Sequence, residues 1–164
     1  MAIKTLEDLF IHELSDIYSA EKQLTKALPR LARAATNPEL VAAFETHLEE
    51  TNGQIERIDQ VVETLGIRLK RIKCAAMEGL VEEGKEVIDS VEKGPVRDAA
   101  LIGGAQKVEH YEIASYGTIA ALAKQLGYKD ALPLLLETLE EEKVTDEKLT
   151  MIAKAGAKEA AAAG

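Results

Sequence analysis

The sequence predicts an all-α protein, an antiparallel four-helix bundle with one long crossover that contains a short helix. Alanine, leucine, glutamate and lysine dominate the 164 residues, whereas aromatic residues make up only 4% and tryptophan is absent. Such a composition favours helices. Four long segments also repeat apolar residues at spacings of three and four, which is the pattern of helices packed in a bundle. This length suits one domain.

Capping residues predict the ends of the first two helices. Thr5 is followed three residues later by Asp8, which resembles a capping box at a helix start. Asn37-Pro38 ends this helix and starts the next, with Asn as N-cap and Pro in the first turn. Gly66 suits the end of the second helix. The predicted spans are about residues 5–35 and 38–65.

The third and fourth long helices follow a long connection. Gly94-Pro95 opens the third helix, Gly127 ends it, and Asp130 is the expected cap of the fourth. A connection of this length can cross the whole bundle, which makes the third helix parallel to the second. Within it, MEGLVEEGKEVIDSVEK predicts a short helix. The predicted crossover spans residues 67–94, and the two helices that follow it span about residues 95–127 and 130–157. The whole bundle is predicted over residues 1–158, with a frayed tail over residues 159–164.

The charge of the chain limits its partners. Its formal net charge is −9 and its pI is near 4.9, so its surface should repel phosphate. Nucleic acid and anionic membranes are therefore not expected partners. The N-terminal sequence lacks the apolar run of a signal peptide, and no segment approaches the roughly 20 apolar residues of a membrane span. The single Cys74 fits a reducing environment, so we expect a cytoplasmic location.

Acidic residues interrupt the apolar pattern of the first, third and fourth long helices near their middles. Because these interruptions fall at similar depths, the acids should lie at one level of the bundle. His47 and Glu50 lie three residues apart on the flank of the second helix, at a comparable depth. The resulting candidates are Glu21, His47, Glu50, Glu109, Glu112, Glu142 and Asp146.

A metal site is the interpretation that best explains buried acids. An unpaired buried carboxylate costs several kcal/mol even after relaxation, and neighbouring carboxylates raise each other's pKa. Hard cations remove this cost because they prefer oxygen ligands, and imidazole suits iron or manganese. The alternatives are acids paired with Lys or Arg, or polar interruptions at a dimer face. No Lys or Arg stands in these apolar patterns at that level, which favours metal, and the number of candidate ligands is enough for two ions.

Three other residues have simpler interpretations. Tyr116, one turn past Glu112, is either a core tyrosine or a hydrogen-bond partner of a ligand. His110 is turned about 100° from Glu109, and His12 is expected at the surface.

Four segments, ELSDIYSAEKQL, FETHLEETNGQIERID, QKVEHYEIASYG and LEEEKVTDEKLT, resemble the ferritin-like di-metal bundles. More closely, the chain resembles the bacterial YciE/YciF stress-protein family over nearly its whole length. This resemblance implies a rubrerythrin-type, ferritin-like bundle, a dimer, and a metal-bearing cytosolic protein induced by stress. It implicates the same seven candidates, with Asp16 as a reserve ligand or as a residue that contacts a ligand.

The sequence departs from the ferritin-like pattern in two places. That pattern uses one Glu on each of two helices and Glu-x-x-His on the other two. Here the second helix reads His-x-x-Glu, as His47 and Glu50, and the fourth long helix has no histidine. The single cysteine also excludes the paired cysteines of an electron-transfer iron site, so any reductant must come from a partner.

These observations leave three functions open. The expected one is a site for two iron ions that oxidises Fe(II) with peroxide or dioxygen, a ferroxidase-type reaction. The second is a manganese site that disproportionates peroxide, as a catalase does. The third is a metal-poor helical homodimer with a structural or interaction role, so whether the protein is an enzyme stays open.

Overall fold

The computed structural model describes residues 2–163, and all regular structure in this range is helical. The prediction of an all-α bundle with a helical segment in its crossover is confirmed. The helices are α1 (Leu6–Ala34), α2 (Pro38–Leu65), α3 (Ala75–Ser90), α4 (Pro95–Gln125) and α5 (Leu132–Ala163).

The capping chemistry explains most of these bounds. The Thr5 side chain accepts a hydrogen bond from the Asp8 backbone, and the Asp8 side chain accepts from the Thr5 backbone, which completes the capping box. Asn37 caps α2 through the backbone of Glu39, and Gly66 ends it in the left-handed conformation with φ of 63°.

The last helix differs from its prediction at both ends. It begins at Leu132 rather than directly after Asp130. It also continues to Ala163, so most of the expected frayed tail over residues 159–164 is helical; Gly164 lies outside the described residues. Alanine has the highest helix propensity of all residues, and this run of alanines extends a helix that is already formed.

The crossover runs along α1 from one end of the bundle to the other. The backbone N–H groups of Lys70 and Cys74 donate to the hydroxyls of Ser15 and Ser19, each at 2.9 Å. α3 then packs against α1 and α4. The chain therefore re-enters the bundle at the end where α2 begins, and α4 runs parallel to α2, as the sequence predicts.

The core is apolar toward both ends of the bundle and polar in its middle. On α1, Phe10, Leu14, Leu24 and Leu28 are at most 2% exposed, and Glu21 between them is fully buried. Most of the other charged residues lie on the outer faces of the helices. Within residues 2–163, no helix combines the length and the apolar character that crossing a membrane requires.

Asp98 joins the two helical hairpins. Its carboxylate accepts hydrogen bonds from the backbone N–H groups of Thr36 and Asn37 at 2.8 and 2.9 Å, in the turn between α1 and α2. Asp98 itself lies in the first turn of α4 and is only 8% exposed. It therefore fixes the start of α4 against the end of the first hairpin.

We expect Asp98→Ala to destabilise the protein by about 2–4 kcal/mol, because two backbone donors lose a charged acceptor and are left partly buried. Urea denaturation followed by circular dichroism measures this change. Asp59→Ala, at an exposed position of α2, is the matched control and should change the free energy of unfolding by less than about 0.5 kcal/mol. Equal effects of the two substitutions would contradict the role assigned to Asp98.

Candidate metal centre

The four long helices bring five of the seven candidate residues together in the middle of the bundle. α1 supplies Glu21, α2 supplies His47, α4 supplies Glu109 and Glu112, and α5 supplies Glu142. Each of these five is at most 4% exposed. On α4, the spacing of three places both glutamates on the same inward face.

The five side chains form two groups that share one member. His47, Glu109 and Glu142 offer ligand atoms that all lie within 4.8 Å of one another, and so do Glu21, Glu112 and Glu142. Glu142 thus lies between the two groups. A carboxylate in this position has two oxygens with which to bridge two ions.

Many polar atoms of this cluster have no hydrogen-bond partner. Within residues 2–163, six carboxylate oxygens lack one, two of them on Glu112 and two on Glu142, and both ring nitrogens of His47 lack one as well. His47 Nε2 lies 2.8 Å from Glu109 Oε1, yet the two atoms are not aligned as a hydrogen bond. Buried polar groups in proteins nearly always have partners. Ligand atoms that converge on a common ion show this kind of close but unaligned contact.

The donor set fits a hard divalent or trivalent cation. It offers carboxylate oxygens and one imidazole, the ligands that suit iron and manganese. Within residues 2–163, no Lys or Arg forms an ion pair with the four glutamates; the nearby Arg57 pairs with Glu137 and Glu141 instead. The charge of the cluster is therefore not balanced by a basic side chain.

Burial raises the pKa values of all four glutamates. Burial, with the charge of Glu142 adding to it, raises the pKa of Glu21 to about 8, even though the neighbouring Glu112 and the hydrogen bond from Tyr116 lower it. Burial likewise raises the pKa of Glu109 to about 8, and the pKa values of Glu112 and Glu142 lie well above their usual range. Without a cation, these carboxyl groups hold protons near neutral pH.

Glu50 and Asp146 lie outside the two groups. Glu50 is half-buried, and its Oε2 lies 3.5 Å from Thr145 Oγ1. Asp146 Oδ2 lies 3.2 Å from Nε2 of His110 at the edge of the bundle. On α5, the next residue after Glu142 that points inward is Thr145, three residues later, and not Asp146, four residues later.

Tyr116 and Gln54 support the cluster from either side. The hydroxyl of Tyr116, which is fully buried, donates to Glu21 Oε2 at 3.2 Å. Gln54 is fully buried near Glu142, and its Nε2 donates to Glu141 at 3.1 Å while its Oε1 has no partner. Gln54 is not among the residues predicted from the sequence, although its position seven residues after His47 places both side chains on one face of α2.

Asp16 takes part in a separate network beside the cluster. It accepts a short hydrogen bond from the hydroxyl of Tyr111, which also lies 3.2 Å from the buried Cys74 Sγ. Neither Asp16 nor His12 joins the two ligand groups. The contact between Tyr111 of α4 and Cys74 could not be predicted from the sequence, because it depends on the path of the crossover.

Comparisons with known proteins agree on one family. The family model described as "Domain of unknown function (DUF892)" matches residues 5–162. Protein YciF of Escherichia coli strain K12 is 69% identical over 154 residues, which cover 93% of each chain.

Solved structures show the same fold. The crystal structure of the E. coli stress protein YciF superposes with a TM-score of 0.93 at 67% identity and covers 95% of this chain and 99% of that one. YcfI of Rhodopseudomonas palustris, described as a candidate structural protein, gives a TM-score of 0.86 at 48% identity, covering 90% of this chain and 94% of that one. A protein of Xanthomonas campestris gives 0.73 at 21% identity over 92% of both chains, which shows the fold alone.

The raised pKa values predict how the stability of metal-free protein depends on pH. The folded state keeps protons that the unfolded chain releases above about pH 4.5. The stabilisation that these protonated groups contribute should therefore be complete below pH 4.5, and the free energy of unfolding should fall as the pH rises toward 8. Each such group gives a slope of up to about 1.4 kcal/mol per pH unit. Urea denaturation of chelator-treated protein at several pH values measures this slope.

Glu112→Gln is the informative variant in this series. It removes one titrating carboxyl and should make the slope shallower, whereas Glu140→Gln at an exposed position of α5 should leave it unchanged. A free energy of unfolding that is constant between pH 5 and 8 would contradict the protonation assigned to the cluster.

Proposed function

The chain belongs to the DUF892 family, and we propose that it is a ferritin-like stress-response protein that holds two iron ions in its bundle and oxidises Fe(II) with peroxide or dioxygen. The observation that carries this proposal is the membership of Glu142 in both groups of ligand atoms. One shared carboxylate between two sets of donors is the arrangement that a two-metal centre needs.

Each group would hold one ion. His47 and Glu109 would serve the first, Glu21 and Glu112 the second, and Glu142 would bridge them. Anionic oxygen ligands stabilise Fe(III) more than Fe(II), so this donor set favours the oxidised metal. Two iron ions held in this way would supply one electron each to a bound oxidant.

The surroundings restrict what can reach this centre. A cavity of about 20 Å³ adjoins His47 and Glu109, and its other walls are apolar side chains such as Leu24, Phe44 and Leu149. A cavity of this volume holds about one water-sized molecule. Peroxide and dioxygen are close to this size, whereas an organic substrate would need the helices to move.

Buried neighbours keep the ligands in place. Tyr116 fixes the orientation of Glu21 by its hydrogen bond, and its own pKa is raised well above the usual range by burial, so the hydroxyl keeps its proton. Gln54, which is buried near Glu142, donates a hydrogen bond to Glu141. Glu141 Oε1 also lies 2.6 Å from Nη1 of Arg57, toward the outside of the bundle. Among the proposed ligands, Glu21 is therefore oriented by a hydrogen bond, and the others are positioned by helix packing.

Two other functions remain alternatives. Manganese would bind the same ligands and disproportionate peroxide in a catalase-like reaction. A structural role is favoured by the description of the relative YcfI as a candidate structural protein. The homodimer, the external electron donor and the cytoplasmic location expected from the sequence also remain proposals, which ultracentrifugation, a reductant assay and fractionation would test.

The number of metal ions that the protein binds should depend on which proposed ligand is replaced. We expect wild-type protein to bind two equivalents of Fe(II) under anaerobic conditions, Glu112→Gln and His47→Gln about one each, and Glu142→Gln almost none, because Glu142 belongs to both groups. Metal analysis after desalting and calorimetric titration measure these values.

The matched control for this series is Glu140→Gln, an exposed residue on the same helix as Glu142, which should keep both equivalents. Circular dichroism checks that each variant is folded. If Glu142→Gln retained two equivalents, or if the wild-type protein bound none, the two-metal centre would be refuted.

The proposed reaction predicts faster oxidation of Fe(II) in the presence of the protein. Stopped-flow absorbance should show Fe(III) forming with wild-type protein, and Glu142→Gln should return the rate to that of a protein-free solution. An oxygen electrode distinguishes the alternatives, since dioxygen consumption supports the ferroxidase and dioxygen release from peroxide by manganese-loaded protein supports the catalase-like reaction. Full cellular function of a folded Glu112→Ala variant would favour the structural role.

A further inference from the structure

A second cavity lies between the crossover helix and the bundle, away from the ligand atoms of the metal centre. It has a volume of about 270 Å³ and lies among α1, α3 and α4. This volume is close to the lower end of the range for pockets that bind small molecules, which begins at about 300 Å³. Most of its walls are apolar, with Leu24 and Leu31 from α1, Val81 and Val87 from α3, and Leu101 and Val108 from α4.

A basic basin adjoins the apolar cavity. The two share Arg30, Lys85 and Ile88 in their walls, and the basin adds Arg33, Lys93 and Arg97. Five basic residues thus face a single acid, Asp89. This concentration of positive charge stands on a chain whose net charge is −9.

Most of these charges lack a carboxylate partner. Among the five, only Lys85 forms an ion pair within the described part of the chain, at 3.9 Å from Glu82. Arg97 donates to the carbonyls of Ile88, Val91 and Ala34, and Lys93 donates to that of Arg33. Those two residues also satisfy the ends of α1 and α3, where helix dipoles favour positive charge. Within the described residues, the side chains of Arg30 and Lys85 form no such hydrogen bonds to helix-end carbonyls.

We propose that the cavity and the basin form one binding site for an amphipathic anion, a medium-chain carboxylate whose acyl chain lies in the cavity and whose head group lies in the basin. The apolar walls match the acyl chain. The carboxylate is matched by Arg30, which forms no ion pair within the described residues, and by Lys85, whose contact with Glu82 is long at 3.9 Å. The remaining acids near the cavity, Glu83 and Glu86, are exposed residues of α3.

Gly104 provides a direct test of the cavity. It lies in the cavity wall, and a Cβ added there would meet no atom within 4 Å. Gly104→Leu therefore places a side chain in the open volume. Gly103 is also free of close neighbours but is exposed and does not line the cavity, so Gly103→Leu is a matched control. Both positions are inside α4, where Leu is a better helix former than Gly, so both variants should fold.

The probe is decanoate, titrated into the full chain by calorimetry below its micelle concentration. Wild-type protein and Gly103→Leu should bind one equivalent, with the negative heat-capacity change of apolar burial. Gly104→Leu should lose binding. The double variant Arg30→Gln, Lys85→Gln should bind about tenfold more weakly, and decanol should bind wild-type protein more weakly by a similar factor.

Several outcomes would overturn the proposal. Equal affinity for decanol and decanoate would refute the role of the basin, and unchanged binding by Gly104→Leu would refute the cavity. Binding to phosphatidylglycerol vesicles without binding to decanoate would assign the surface to a membrane instead. If Gly104→Leu changed the mass measured by ultracentrifugation, a second copy would be the occupant. Glu112→Gln should keep decanoate binding, so a failure of this proposal can be distinguished from a failure of the proposed metal centre.

Discussion

The burial of four carboxylates in an apolar bundle, without a basic side chain to balance them, is the constraint on which the rest of the structure depends. Glu21, Glu109, Glu112 and Glu142 come from three helices and are at most 1% exposed. Each would cost several kcal/mol as an unpaired charge. The fold can carry this cost because apolar layers above and below the acids stabilise the bundle, and because protons or cations can neutralise the cluster.

Two neighbouring glutamates on α5, Glu141 and Glu142, lie on different faces of the helix and differ in their partners and in the direction of their pKa shifts. Glu141 is partly buried, which alone would raise its pKa, but hydrogen bonds from Arg57 lower it below the usual range. Glu142 points inward and has no such partner, and burial raises its pKa. The pair formed by Arg57 and Glu141 links α2 to α5 and sets the depth at which His47 and Glu142 face each other. A stabilising ion pair thus lies directly beside a destabilising cluster.

The fold and most of the cluster could be predicted because they follow from periodicity. An acid that replaces an apolar residue at regular spacing must point into the bundle, which identified Glu21, Glu109, Glu112 and Glu142. The same rule could not decide between positions three and four residues on. On α5 the inward row runs through Thr138, Glu142 and Thr145, so Asp146 is turned outward. Threonine and glutamine give no apolar signal, so Thr145 and Gln54 did not stand out in the sequence.

The two cavities differ in ways that suggest different tasks. The small cavity of about 20 Å³ is lined by His47 and Glu109, whereas the larger one lies beneath α3 and opens on basic side chains. They share Leu24, Leu31, Ala105 and Val108, so one layer of apolar side chains separates them. Val108 directly precedes Glu109 on α4, so a ligand that moved this layer would also shift the carboxylate of Glu109, which is a proposed metal ligand. The long crossover therefore does more than connect two hairpins, because α3 encloses an outer cavity against the same α1 and α4 side chains that line the small cavity.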